Sequence, residues 1–314
     1  MGGKYLTRRL AADAVGIARA VELLRGGGLV ALPTETVYGL AARADDVAAI
    51  ARIYEAKGRP GFNPLIVHVE SMAEAERLAE FSLAARDLAE AHWPGPVTLV
   101  LPRRRDAVLA PAVSAGLPTV ALRCPAHPVI RAVLAELGAP LAAPSANRSG
   151  FVSPTTAGHV LATLDGRIDA VLDAGPCEAG LESTIVAVRA GGAVDILRPG
   201  PVVIAAGTGA GGGAGGAIEA PGQLASHYAP GKPVRLNALE AAADEFLIGF
   251  GPVAGDCSLS PHGDVMEAAA RLYECLHRAA RAEQRCIAVA PVPAKGVGVA
   301  INDRLRRAAA PGES

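Results

Sequence analysis

Short apolar runs recur through the first two thirds of the chain, at residues 29–32, 65–69, 97–101, 119–122, 185–188 and 194–197. Each is short and apolar enough to be a strand buried in a sheet. Between them the hydrophobic period lengthens to that of a helix. Asp45 or Asp46 can cap a helix that carries Val47, Ile50, Ile53 and Tyr54 on one face and ends at Gly58. A side-chain oxygen satisfies the first free N–H groups of such a helix, and glycine accepts the left-handed turn that closes it. Ser71 with Glu74 three residues on forms a capping box. A third helix is predicted from about residue 127 to 137, stopping at Gly138. A fourth is predicted from Ser153 as N-cap with Pro154 at its first position, where the missing N–H costs nothing. Alternating strands and helices predict an α/β fold.

Residues 205–217 are almost entirely Gly and Ala, too small-chained to build a core and entropically costly to order, which predicts a flexible linker. Beyond it, strands are predicted at 234–236, 246–250 and 287–290 and helices at 264–281 and 301–309, a small β/α module. The expected organisation is one domain over residues 1–206, a Gly-rich linker over 207–233 and a second domain over 234–314. Nothing repeats at a fixed period, so solenoid and propeller folds drop out.

Composition narrows the partners. The 314 residues are 51% hydrophobic and 19% charged, enough for a buried core. Thirty basic and 31 acidic residues leave a net charge of -1, so any contact with RNA must be local rather than driven by an overall basic field. No run of about 18 apolar residues would span a membrane. Residues 1–10 have basic groups but no apolar core leading to a cleavage site, so a cytoplasmic chain is expected. Five widely spaced cysteines without a Cys-x-x-Cys pair argue against a disulfide framework and against a zinc site.

Familiar chemistries lose their support. Gly207, Gly209 and Gly212 match a dinucleotide-binding pattern, but Pro221 and Gly222 interrupt the helix that should follow and position 232 is a lysine. Lys4 is followed by Tyr5 and Lys232 by Pro233, so there is no P-loop. Neither a His-Glu-x-x-His pair nor a Gly-x-Ser-x-Gly elbow occurs. What remains is polar and basic residues in turns beside strand ends, where open α/β sheets bind ligands. Pro33 to Leu40 gathers Thr34, Glu35, Thr36 and Tyr38, which suits a ligand or an ordinary hydroxyl-capped turn. Lys57 and Arg59 flank the helix-ending Gly58 and are followed by Asn63 and His68. Only four of the basic residues are lysines (Lys4, Lys57, Lys232 and Lys295), so a lysine at 57 signals a need for a compact ammonium, against the simpler role of answering the helix dipole. Arg123 ends an apolar strand, where its planar fork suits a carboxylate or phosphate, or a buried structural pair. Residues 143–150, with Ser145 and Asn147, form a Ser/Asn-rich loop before Ser153, and Glu182-Ser183-Thr184 and Arg198 flank two further strands.

Taken in order, these segments resemble the threonylcarbamoyl-adenylate synthase family, the YrdC-like domain in its longer form with a C-terminal extension. The match runs through Pro33 to Leu40, Lys57 to His68, Trp93-Pro94-Gly95-Pro96, Val120 to Pro128, Ala143 to Asn147, Glu182 to Thr184 and Arg198 to Pro201. Ser226-His227-Tyr228-Ala229-Pro230 and Ala300-Ile301-Asn302-Asp303-Arg304 belong to the extension. The Gly/Ala-rich linker departs from it. The resemblance implies a twisted α/β domain with a concave ligand face plus a small Rossmann-like β/α domain. It implies that L-threonine, bicarbonate and ATP become threonylcarbamoyl-AMP and pyrophosphate, for a downstream transferase that modifies tRNA beside the anticodon. It also implies that Lys57, Arg59 and Arg198 hold the phosphates with Mg²⁺, with Lys57 and Arg59 the catalytic cations. Asn63, Thr119, Ser145, Asn147, Ser153 and Tyr228 would line the nucleotide, and Thr36, His68, Arg123, Ala143 and Ser183 would surround threonine. His68 stands either as a base or as a neutral orienting group. Two rivals are weighed. One is an RNA-binding module using Arg103-Arg104-Arg105 and Arg304, Arg306 and Arg307. The other is a carbamoyl transferase making a different carbamoyl-adenylate, for which acyl-phosphatase and zinc-finger modules would be expected.

Overall fold

The computed structural model describes residues 6–189, 191–205, 218–223 and 227–310. The first body runs β1 (Arg8–Ala11), α1 (Ala14–Arg25), β2 (Val30–Leu32), β3 (Gly39–Arg43), α2 (Val47–Lys57), β4 (Ile66–His68), α3 (Met72–Leu78), α4 (Leu83–His92) and β5 (Val97–Pro102). It continues with β6 (Thr119–Arg123), α5 (Pro128–Leu137), β7 (Leu141–Ala142), α6 (Ala157–Leu164), β8 (Ala170–Asp173), β9 (Thr184–Val188) and β10 (Val194–Arg198). The ten strands form one mixed sheet in the order β1-β8-β2-β3-β7-β4-β6-β5-β9-β10.

The helix ends follow the expected chemistry. Asp46 caps α2 by accepting from the Ala49 N–H, and Gly58 closes it at φ 58°. Ser71 Oγ accepts from the Glu74 N–H while Glu74 Oε2 accepts from the Glu70 N–H, which fixes the start of α3. One assignment is corrected. The helix expected with Ser153 as cap begins three residues later, at Ala157, with Thr156 as its cap. Ser153 is fully buried and the Pro154 carbonyl accepts from the Tyr38 N–H, so this stretch is tied to the β2–β3 loop instead.

The two faces of the sheet are covered differently. On one, α2, α3, α4 and α6 pack over Ala31, Leu40, Val67, Leu99 and Leu122 in the main core. On the other, α1 and α5 cover Val30, Leu32, Ala41, Leu141 and Leu172. The rest of this second face, with Ile66, Val100, Ala121, Ile185 and Ala187, is capped by Ala220. That uneven cover leaves the concave ledge expected for a ligand.

The second body comprises β11 (Val234–Leu236), β12 (Glu245–Gly249), β13 (Cys257–Ser258), α7 (Val265–Arg281), β14 (Cys286–Val289) and α8 (Gly298–Ala309). Its sheet, β11-β14-β12-β13, is parallel at every pairing, a small Rossmann-like unit. A shared apolar cluster docks it on the first body: Val37, Val152 and Leu181 pack with Tyr228 and with Leu272, Tyr273 and Leu276 of α7. At Gly180 (φ +66°) an added Cβ would lie 2.5 Å from the Ala270 Cα, so only glycine lets α7 approach this closely. Residues 206–217, including the Gly207, Gly209 and Gly212 pattern and most of the expected linker glycines, lie outside the described residues.

Candidate functional site

β4 and β6 are parallel, and their register sets His68 beside Arg123 at the edge of the ledge. The Arg123 guanidinium is buried. Its Nη1 donates to Thr36 Oγ1 (2.8 Å) and its Nε to the Gly95 carbonyl (3.2 Å). Nη2 lies 2.6 Å from Glu35 Oε1 in an ion pair not aligned as a hydrogen bond. Burial pushes the Glu35 carboxyl up, but the adjacent Arg123 charge and backbone hydrogen bonds outweigh it and leave the group below its usual range. Burial, reinforced by Arg123, holds the His68 imidazole down at about 3, so it is neutral at physiological pH. Its Nδ1 has no partner.

Three further cations converge from different elements. Lys57 ends α2, yet its ammonium reaches across to another segment and donates to the carbonyls of Ser145 (2.6 Å) and Asn147. Arg59 Nη2 donates to Asn63 Oδ1 (2.7 Å) and to the Pro64 carbonyl (2.8 Å). Arg198, at the end of β10, donates through Nε and Nη2 to the Ser183 carbonyl (3.2 and 3.0 Å) and through Nη2 to Ser183 Oγ (3.2 Å). All three side chains are buried. Burial depresses the Lys57 ammonium well below its ordinary value, with Arg59 adding repulsion, and lowers Arg59 to about 10. Among the described residues their hydrogen bonds end on neutral oxygens.

Thr36, Arg59, His68, Arg123 and Ala143 line one cavity together with Ser145, Ser183, Arg198 and Tyr228. Its open volume is about 40 Å³, room for a water or two and far below the roughly 300–1,000 Å³ of a small-molecule site. The covering segment explains why: Pro221, Gly222, His227 and Tyr228 form part of the wall. Lys57, Asn63 and Asn147 stand one hydrogen bond behind the lining. Ser153 is buried below it, its carbonyl 3.1 Å from His277 Nε2. Thr119 is not brought to the cavity. It lies four residues from Arg123 on β6, on the same face as Ala121 and Arg123. Buried polar atoms without partners concentrate here: Asn63 Nδ2, His68 Nδ1, Asn147 Oδ1, Ser153 Oγ and Tyr228 OH. Such atoms are rare away from sites that expect a ligand.

Glu182 also lines the cavity, and no role follows for it from the sequence. It accepts from Arg304 Nε (2.9 Å) and from the Tyr273 hydroxyl (2.9 and 2.8 Å). Arg304, weighed above as part of a basic surface, is fully buried, which removes it from any RNA-facing patch. Nor does the sequence assign a ligand role to Glu35 or to the covering residues Pro221 and Gly222. Nothing in the local pattern joins positions so far apart in the chain.

Comparison with known proteins follows the same lines. Residues 22–200 match the Sua5, YciO and YrdC family model, described as telomere recombination. Residues 195–310 match the model described as the threonylcarbamoyl-AMP synthase C-terminal domain. The chain is 39% identical to a threonylcarbamoyl-AMP synthase of Bacillus subtilis, over 97% of this chain and 96% of that one. It is 38% identical to one of Pyrococcus abyssi, over 92% of each. A crystal structure of P. abyssi Sua5 complexed with L-threonine is similar at a TM-score of 0.86, with 35% identity over 97% of both chains. By its two domain matches and its near full-length relatives, the chain belongs to the threonylcarbamoyl-AMP synthase family.

Proposed function

We propose that this protein makes threonylcarbamoyl-AMP from L-threonine, bicarbonate and ATP, with release of pyrophosphate. The observation that carries the reading is the convergence of Lys57, Arg59 and Arg198 as buried cations held by neutral oxygens. A buried charge without a counter-charge is costly unless a ligand supplies one, and a triphosphate supplies several. Family membership and the threonine complex of the P. abyssi relative support the same assignment.

The chemistry asks little covalent work of the protein. The threonine amine adds to the bicarbonate carbon with loss of water, and a carbamate oxygen then displaces pyrophosphate at the α-phosphorus. Several anions must be held in line, so positioning and electrostatic stabilisation dominate. In this proposal Arg123 exchanges Glu35 for the threonine carboxylate, with Thr36, Ala143 and Ser183 around the side chain. The neutral His68 orients the substrate rather than carrying a positive charge. Asn63, Ser145, Asn147 and Ser153 line the nucleotide, and Thr119 marks its far end along β6. Among the described residues no group of three or more His, Cys, Asp or Glu side chains is arranged to hold a metal. Mg²⁺ enters this scheme with ATP. Pro221, Gly222, His227 and Tyr228 serve as a cover, because they wall a cavity too narrow to admit a nucleotide without their movement. The mixed anhydride then passes to a separate transferase acting on tRNA.

Pyrophosphate release is expected only when ATP, threonine, bicarbonate and Mg²⁺ are all present. Equal release without threonine would contradict the assignment.

A further inference from the structure

We propose that Arg304 and Tyr273, both on the second body, are positioning residues for the phosphate site: they hold the Glu182 carboxylate so that Arg198 keeps its guanidinium for the nucleotide. This inference rests on the function proposed above.

Glu182 is adjacent in sequence to Ser183, the residue that Arg198 grips through both carbonyl and hydroxyl. A free carboxylate in that position has two harmful options. It can take Arg198 in a charge-assisted pair, or it can face the phosphates and repel them. Glu182 lines the cavity and lies within the electrostatic reach of Arg198, but it accepts its hydrogen bonds from the second body instead. Arg304 Nε and the Tyr273 hydroxyl donate to the carboxylate, while the hydrogen bonds of Arg198 go to the Ser183 carbonyl and hydroxyl and to the Pro221 carbonyl. Arg304 is in turn anchored by Asp303 (2.7 Å) and lies 5.3 Å over the Tyr228 ring, so the same guanidinium also supports the covering segment. A buried ion pair is a weak device for stability, since well-packed apolar residues often do as well. Aimed into a cavity beside an anion site, it has a clear electrostatic use.

The test uses the full-length chain and reads ATP affinity by calorimetry alongside the KM values for ATP and threonine. Arg304→Met is expected to weaken ATP binding at least about tenfold while the threonine KM stays within about twofold. Adding Glu182→Gln to Arg304→Met should restore ATP affinity to within about threefold of wild type, because an amide neither claims Arg198 nor repels phosphate. A double variant no better than the single one, or equal weakening toward ATP and threonine, overturns the proposal. Should Arg304→Met fail to fold, Tyr273→Phe carries the test: about threefold weaker ATP binding is expected, and unchanged affinity overturns it. Wild-type protein that binds ATP but forms no threonylcarbamoyl-AMP would overturn the functional reading instead, and the rescue of ATP binding would still be measured.

Discussion

Lys57 occupies the last turn of a helix, where a lysine ordinarily faces solvent and answers the dipole, yet here its ammonium is buried against the carbonyls of Ser145 and Asn147. The scarcity of lysine made this position legible, because a chain that otherwise uses arginine kept a compact, rotatable charge at one strand-proximal turn. Lys57→Ala is expected to lower turnover by about a hundredfold or more. Lys57→Arg should fail as well, since a planar fork cannot replace an ammonium shared between two carbonyls. Wild-type pyrophosphate release in either variant would remove Lys57 from the machinery. Tyr228 makes a different prediction. Among the described residues its buried hydroxyl has no partner, so Tyr228→Phe should leave thermal stability unchanged or slightly raised while weakening ATP several-fold. A marked loss of stability with unchanged ATP affinity would assign the hydroxyl to packing instead.

The elements that position the site differ in how far sequence exposes them. Strands β4, β5, β6 and β9 are apolar runs bounded by polar groups, and the caps Asp46 and Ser71 act where their side chains predict. Strand β3 escapes the pattern because its Gly- and Ala-rich segment gains strand character from neighbours rather than from its own side chains. Ser153-Pro154 reads as a helix start, but a long-range backbone bond to Tyr38 claims Pro154 and leaves Thr156 to cap. The covering segment is the element that local rules describe least. At Gly222 (φ +83°) an added Cβ would come within 3.0 Å of both Arg198 Cδ and Tyr228 OH. Gly222→Ala is therefore expected to displace one of the two and to cut ATP affinity by about tenfold or more while the protein stays folded. Unchanged binding would show that the segment is only a spacer.

At the scale of the molecule, the second body completes the first rather than hanging from it: α7 and α8 bring Tyr273, His277 and Arg304 against the loops that carry Ser153 and Glu182. Composition and periodicity announce two units, but not that one reaches the other's ligand face, because that contact is set by side chains 91 to 124 residues apart. The packing has a consequence in acid. Burial depresses His68, His227 and His277 to about 3 each, against about 6.5 in an unfolded chain. Between those values the unfolded chain binds protons that the folded one does not, so stability is lost as pH falls through that window, by about 1.4 kcal/mol per pH unit for each such histidine. Glu182, held by Arg304 at about 2 despite its burial, adds a further loss below about pH 4.5. Melting temperature should fall steeply between pH 6.5 and 4; a flat profile would mean that these histidines are not buried neutral. The central claim meets its most direct test in the product itself. Wild-type protein supplied with ATP, L-threonine and carbon-labelled bicarbonate should yield, by mass spectrometry, threonylcarbamoyl-AMP bearing one labelled carbon, with pyrophosphate in equal amount. An adenylate without the label, or pyrophosphate released with no labelled adduct, would contradict it.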